Sequence, residues 1–260
     1  MLEALNAVVL RAGEIIRSAR DAESTAVEKT GPRDLVTKYD TMVQQFLEKE
    51  LLSLAPDAGF LGEEGTKQFD WSSYERLFIV DPIDGTTNFV QGFRNSAVSV
   101  GLMVRGQMEY GVVYNPYDGE LYSARRGCGA FLNGKPIHAG DRALARSILI
   151  FGTALYYPEL TEQTLGILNA AFPRVQDIRR FGSAALDLCY VAAGKAGVFY
   201  EARLSPWDYA AGSLIAREAG CAVTALDGAP LNYFEKCSVL AGCPTAYRQL
   251  LGLIREGGNQ

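Results

Sequence analysis

The chain has 260 residues and a net charge of −5, with hydrophobic and charged shares of 48% and 21%. These shares are ordinary for a soluble globular protein, and a compact chain of this length buries roughly 70–75% of its unfolded surface, so its core needs no disulfide or metal staple. The acidic balance argues against a general nucleic-acid surface, which requires a basic excess, and an anionic substrate would need local help from metal ions or helix N-termini.

Residues 2–20 carry apolar side chains at helical spacing and predict an amphipathic helix. Glu3, Arg11 and Glu14 interrupt the run, so it does not read as a signal peptide. No apolar run reaches the roughly 18 residues of a membrane span, so no membrane partner is expected. Thr37 and Asp40 have capping-box spacing and predict a second helix to about residue 54. Leu77 to Val80 predicts a short strand ending at Asp81, because Pro82 keeps Asp81 out of helical geometry. Residues 96–137 alternate and turn repeatedly at Arg105-Gly106, Asn115-Pro116, Asp118-Gly119 and Asn133-Gly134, the pattern of an antiparallel meander.

From about residue 147 the texture changes. Strand-like runs at 148–151, 197–200, 221–226 and 238–241 alternate with helical runs at 159–171, 184–193, 208–219 and 244–256. This predicts an α/β layered half (146–260) after an α+β half (1–145), packed as one unit with a cleft between them. The five cysteines are scattered and form no C-x-x-C pair, which predicts reduced, mostly buried thiols and a cytoplasmic protein.

Four acidic clusters are candidates for chemistry: Gly62-Glu63-Glu64-Gly65, Asp81-Pro82-Ile83-Asp84-Gly85-Thr86, Glu201 after Val198-Phe199-Tyr200, and Trp207-Asp208. Taken singly, the first reads as a solvated turn and the last as a helix N-cap by position. The second has more content. Asp84 precedes a helix start at Gly85-Thr86-Thr87, where free N–H groups attract anions and the bare glycine lets a phosphate approach. Hard oxygen ligands beside a phosphate cradle suit Mg²⁺. Phe181-Gly182-Ser183 precedes another helical run, with Ser183 a fair N-cap.

Other phosphatase chemistries fail on spacing. Asp81 and Asp84 have two residues between them, whereas a haloacid-dehalogenase nucleophile needs one. Cys243 and Arg248 are one residue too close for C-x5-R, and no P-loop pattern occurs. The lone histidine, His138, follows Asn133-Gly134-Lys135-Pro136 and reads as a surface loop residue, which argues against a Ser-His-Asp triad.

These motifs together resemble the inositol monophosphatase family of Mg²⁺-dependent phosphatases over nearly the whole chain. The carriers are Lys29 with Asp34-Leu35-Val36-Thr37 and Asp40, Gly62-Glu63-Glu64, the stretch from Asp81 to Phe89, Gly111-Val112-Val113-Tyr114, and Trp207-Asp208-Tyr209-Ala210-Ala211-Gly212. The resemblance implies a layered α+β fold, the five-layer αβαβα sandwich of the inositol monophosphatase and fructose-1,6-bisphosphatase type, in one domain over 1–260. It implies two to three Mg²⁺ ions. Glu63, Asp81 and the Ile83 carbonyl would hold the first, and Asp81, Asp84 and Asp208 the second. A third would sit near Glu63, with Asp40 and Lys29 in the outer shell. Gly85 and Thr86 would bind the phosphate. Glu63 and Thr86 would orient the attacking water and Asp208 a water that protonates the leaving group, with no covalent intermediate. Asp84, Gly182, Ser183, Ala184 and Glu201 would face the substrate hydroxyls.

The resemblance further implies a homodimer, lithium inhibition and a small phosphorylated substrate. The spacing of Glu201 to Asp208 and the form of the Asp-Pro-Ile-Asp stretch favour inositol monophosphate. Fructose-1,6-bisphosphate, histidinol phosphate or an adenosine bisphosphate are alternatives with the same chemistry. A metal-stabilised binding protein without activity is a remoter one. The chain departs from the family pattern at Val90 to Ser96, where a histidine and a proline are missing. Arg94 in that stretch is read as solvated rather than as reaching a second anionic group.

Overall fold

The computed structural model describes residues 1–29, 31, 35–65 and 71–257. Its first part runs α1 (Leu2–Ser18), β1 (Val27–Glu28), β2 (Leu35–Val36), α2 (Lys38–Leu54), β3 (Gly59–Gly62), β4 (Arg76–Asp84) and the short α3 (Thr86–Val90). The meander follows as β5 (Ala97–Val104), β6 (Gln107–Asn115), β7 (Glu120–Arg125), β8 (Ala130–Leu132) and β9 (Lys135–Ile137). The second part comprises β10 (Ile148–Phe151), α4 (Thr161–Ala171), β11 (Asp177–Arg179), α5 (Ala184–Ala192), β12 (Val198–Leu204), α6 (Pro206–Glu218), β13 (Ala222–Thr224), β14 (Cys237–Gly242) and α7 (Pro244–Gly257).

Strands β3 to β9 form a seven-stranded sheet in sequence order, with only the β3–β4 pair parallel. A five-stranded mixed sheet has the order β11-β10-β12-β14-β13. Helices α1 and α2 pack on one face of the larger sheet. Helices α5 and α6 lie between the two sheets and touch both, and α4 and α7 cover the outer face of the smaller one. The result is the αβαβα sandwich expected.

Both sheets are covered on both faces, which explains their sequence texture. In β5 every residue from Ala97 to Met103 is buried, so its apolar residues run on instead of alternating. The α5–α6 layer is tight because its buried positions include Ala184, Ala185, Ala210 and Ala211. Two apolar cores result, one between α1–α2 and the larger sheet, the other running from that sheet through α5 and α6 to α7.

Most elements fall within a few residues of their predicted bounds, with two informative differences. Strand β4 does not stop at Asp81. Its register with β5 runs to Asp81↔Ser99 and resumes at Asp84↔Ala97, so β4 spends one extra residue there. Pro82 cannot donate to the ladder, and a bulge absorbs it. Helix α6 is not capped by Asp208. It begins at Pro206 with Ser205 as N-cap, and Asp208 reaches back from the third position to the Ser205 N–H at 2.7 Å. Proline at the first helical position needs no N–H partner, so the helix starts earlier than predicted.

All five cysteines are unpaired; Cys189, Cys221 and Cys243 are buried, Cys237 is half-buried and Cys128 is exposed. His138 is an exposed loop residue. Among the described residues, no helix is long and apolar enough to cross a membrane.

Candidate active site

Three helix starts meet in one cleft. Gly85 before α3, Ser183 before α5 and Ser205 before α6 all line a cavity of about 750 Å³, together with Lys29, Glu63, Asp81, Asp84, Glu201 and Asp208. Carboxylate oxygens of Asp81, Asp84 and Asp208 lie within 4.8 Å of one another. They come from the two sides of the β4 bulge and from the first turn of α6. The bulge has a local purpose: it turns Asp81 and Asp84 toward one point although they are three residues apart.

Each carboxylate is held by the backbone. Asp81, 2% exposed, accepts the Ile83 N–H at 3.0 Å. Asp84, 7% exposed, accepts the Ser183 hydroxyl and, at 2.9 Å, the Ala185 N–H of α5. Asp208 accepts the Ser205 N–H. One oxygen of each is committed to these bonds, which holds the side chains in place. Glu63 takes the Lys29 ammonium at 3.0 Å, and Lys29 also reaches Glu64. Asp40 is fully buried, accepts Thr37 N–H and hydroxyl at 2.7 Å, and takes the Thr86 hydroxyl at 3.2 Å. The same hydroxyl lies 3.0 Å from the Ile83 carbonyl oxygen. Gly85 sits at φ +86°, and a Cβ there would come within 3.0 Å of the carbonyl oxygens of Asn95 and Gly182. Only glycine fits this turn without strain.

Crowded, buried carboxylates shift one another's titration. Burial and then the neighbouring charges of Glu63, Asp84 and Asp208 raise Asp81 well above the usual carboxylate range. Burial likewise lifts Asp208 well above it and Asp40 more modestly. Burial brings Asp84 to about 6 against the opposing pull of Ser183 and the α5 amides, and Glu63 to about 7 against Lys29. Burial depresses Lys29, but Glu63 and Glu64 outweigh it and hold its pKa above the ordinary lysine value. Carboxylates this close repel one another unless protons or cations neutralise them. The donor set is all oxygen, which selects hard divalent ions over zinc or copper.

The predicted residues therefore gather in one place. Ala184, Gly182 and Glu201 line the same cavity, and Glu201 accepts the Ala154 N–H at 3.1 Å. Asp34 lies outside the described residues. Several cavity residues were not singled out from the sequence: Asp187, Arg180, Tyr157, Arg203 and Lys236. Asp187 is 1% exposed, and its Oδ1 has no hydrogen-bond partner among the described residues. It stands four positions after Ser183, on the same helix face, and that spacing could have flagged it. The cationic residues carried no such signal, because they are scattered over separate loops and strands. Arg94, by contrast, is exposed with φ +56° and does not line the cavity.

Fold and site together define a layered α/β protein with a carboxylate-lined cleft. Residues 1–257 match the profile of the inositol monophosphatase family, and the chain belongs to it. An inositol-1-monophosphatase from Rhizobium meliloti is 40% identical over 85% of this chain and 83% of its own length. The Nus factor SuhB of Vibrio cholerae is 37% identical over 98% of this chain and 96% of its own. The crystal structure of the extragenic suppressor protein suhB from Bartonella henselae superposes with a TM-score of 0.90 at 35% identity, covering 98% of both chains.

Proposed function

We propose that the chain hydrolyses inositol monophosphate or a similar small polyol or sugar phosphate to the alcohol and inorganic phosphate, using Mg²⁺. The observation that carries this is the convergence of Asp81, Asp84 and Asp208 at the mouths of α5 and α6, next to Thr86. Phosphomonoesterase chemistry is what the family supports, and the relative from Rhizobium meliloti is named for it.

The donor set fits Mg²⁺: Glu63, Asp81, Asp84, Asp208 and the Ile83 carbonyl are the residues that would hold two or three such ions. Bound there, the ions would supply charge neutralisation and an acidified water. The chain's own residues would do the rest. The N–H groups of Gly85 and Thr86 would bind phosphate oxygens. Glu63 and the Thr86 hydroxyl, anchored by Asp40, would orient and take a proton from the attacking water. Asp208 would place the water that protonates the leaving alkoxide. Ser183, Gly182, Ala184 and Glu201 would face substrate hydroxyls. The proposal includes lithium inhibition, a homodimer and a cytoplasmic location.

The test is phosphate release from a panel of inositol 1-phosphate, fructose 1,6-bisphosphate, histidinol phosphate and adenosine 3′,5′-bisphosphate with Mg²⁺. Turnover of inositol 1-phosphate supports the proposal; no turnover of any of the four refutes it. A second reading, favoured by the name of the Vibrio cholerae relative, is a partner-binding role as a Nus factor. An inactive chain across that panel would favour it.

A further inference from the structure

The stretch from Val90 to Ser96, where the family pattern breaks, takes no part in the proposed chemistry. It leaves α3, turns at Gly92 (φ +72°) and Arg94 (φ +56°), and enters β5. Arg94 holds a left-handed conformation that a side chain adopts only at a cost, so fixed neighbours must maintain it. The next residue, Asn95, is half-buried and bonded in three directions. Its backbone carbonyl accepts the side-chain amide of Asn88, from α3, at 2.8 Å. Its own side-chain amide donates to the Phe181 carbonyl at 3.4 Å. Its Oδ1 accepts the hydroxyl of Tyr190, from α5, at 2.9 Å.

These bonds join two walls of the cleft that lie about a hundred positions apart in the chain. One wall is the α3 start, where Gly85 and Thr86 are the candidates for phosphate. The other is Phe181-Gly182, which leads into Ser183 and Ala184, the candidates for substrate hydroxyls. Asn88 also donates to the Phe181 carbonyl at 2.7 Å and lies 3.3 Å from that of Gly182. Gly182 sits at φ +84°, and a Cβ there would fall 2.3 Å from Nη1 of Arg180, which with Arg203 and Lys236 is one of three cations lining this wall. Behind Phe181 the packing is thin. Its ring is 37% exposed and meets the Tyr190 ring edge-on at 5.4 Å. Phe181 and Tyr190 also border a second cavity, of about 330 Å³, with Ile148 and Ile150. With so little core behind it, the Phe181 carbonyl depends on hydrogen bonds for its place, and Asn95 links it to Tyr190.

From this arrangement we infer that Asn95 is a positioning residue for substrate selection. Braced by the Tyr190 hydroxyl, it holds Phe181-Gly182 in register with the phosphate turn, and so sets where the hydroxyl-reading wall stands relative to the bound phosphate. The departure from the family pattern thus supplies a brace, and Asn95 acts through Phe181 and Gly182 without touching substrate. The inference deepens the phosphatase reading and rests on it.

Two phosphate esters separate the walls: inositol 1-phosphate engages both, and p-nitrophenyl phosphate, which has no hydroxyls, engages only the phosphate turn. Wild type, Asn95→Ala, Tyr190→Phe and the double variant are compared on both esters with Mg²⁺. Asn95→Ala should raise KM for inositol 1-phosphate roughly 3- to 10-fold, the scale of one lost neutral hydrogen bond, with kcat little changed. Its KM for p-nitrophenyl phosphate should stay within about twofold of wild type, since the phosphate turn keeps its own bonds. Tyr190→Phe should move the same way by less, and the double variant should be no worse than Asn95→Ala, because both changes break one chain of bonds. Tyr190→Phe keeps the ring against Phe181, so it decides the matter if Asn95→Ala melts far below wild type. Equal losses on the two esters, a loss confined to kcat, or no change in KM would overturn the assignment. Wild type active on p-nitrophenyl phosphate alone overturns this inference and leaves the phosphatase chemistry standing. Wild type inert on both overturns the phosphatase reading and this one with it.

Discussion

The floor and the far rim of one cavity are built on opposite plans. Floor carboxylates sit on strand ends and first helical turns, are short, and are anchored by backbone N–H groups: Ile83 to Asp81, Ala185 to Asp84, Ser205 to Asp208. Rim cations sit on long side chains, partly or well exposed, and hold one another through Tyr157 or lean over Gly182. The floor concentrates repulsion in a rigid frame. The rim keeps reach and adaptability. Chemistry that must be positioned to fractions of an ångström belongs on the first plan, and selection among related substrates belongs on the second.

The sharpest way to break this contrast is at the floor. Asp84→Asn should lower kcat/KM on the best substrate by roughly 10²- to 10³-fold or more, the scale of losing one preorganised electrostatic group. The amide oxygen can still accept from Ser183 and Ala185, so the fold should persist. In excess chelator the variant should melt above wild type, because one repelling carboxylate has gone. Unchanged turnover would remove Asp84 from the site.

Chelation should abolish activity and lower the melting temperature of wild type. Mg²⁺ at about 100 times its dissociation constant contributes about 2.7 kcal/mol, or roughly 5–10 °C for a chain of this size. An unchanged melting curve in excess chelator would count against a metal-filled floor.

The pH response follows from the same repulsion. Glu63 and Asp84 have native pKa values of about 7 and about 6, above their ordinary carboxylate values. The folded state therefore binds more protons than the unfolded state between about pH 4 and pH 7. Their contribution is fully present below the ordinary carboxylate pKa and is lost as pH rises through the native values. In chelator, the melting temperature should fall from pH 5 to pH 7.5. Saturating Mg²⁺ should flatten that decline. A chelated protein that gains stability over the range would contradict the reading.

The smallest effect tests the frame behind the floor. Thr37 caps α2 and donates its hydroxyl to Asp40. Thr37→Ala should cost about 1 kcal/mol, roughly 2–4 °C by calorimetry. It should also loosen Asp40 and with it the Thr86 hydroxyl, so kcat should fall modestly while KM holds.

Legibility tracked how local each feature is. The α2 capping box, the Ser183 cap, the meander turns and the Asp81–Thr86 stretch lie within a few residues, and the structure keeps them all. The end of β4 and the start of α6 differ from the sequence reading, the first because Pro82 reads as ending the strand and the second because Asp208 reads as the cap. In β4 the neighbouring strand tolerates a bulge, and in α6 proline occupies the first helical position. Arg94 drew attention as a cation next to the motif, yet it does not line the cavity. Arg180, far along the chain, lines it.

The sequence by itself therefore determined the family, the layered order of helices and strands, and which carboxylates stand at element ends. Capping, turn chemistry and hydrophobic periodicity are short-range properties, and they travel with the residues that carry them. Only the tertiary structure decided that three helix starts share one cleft, that Asp187 is buried beside it, and which arginines line it. Those facts depend on how α5 and α6 are clamped between two sheets, and packing of that kind joins residues a hundred positions apart through contacts no local pattern encodes.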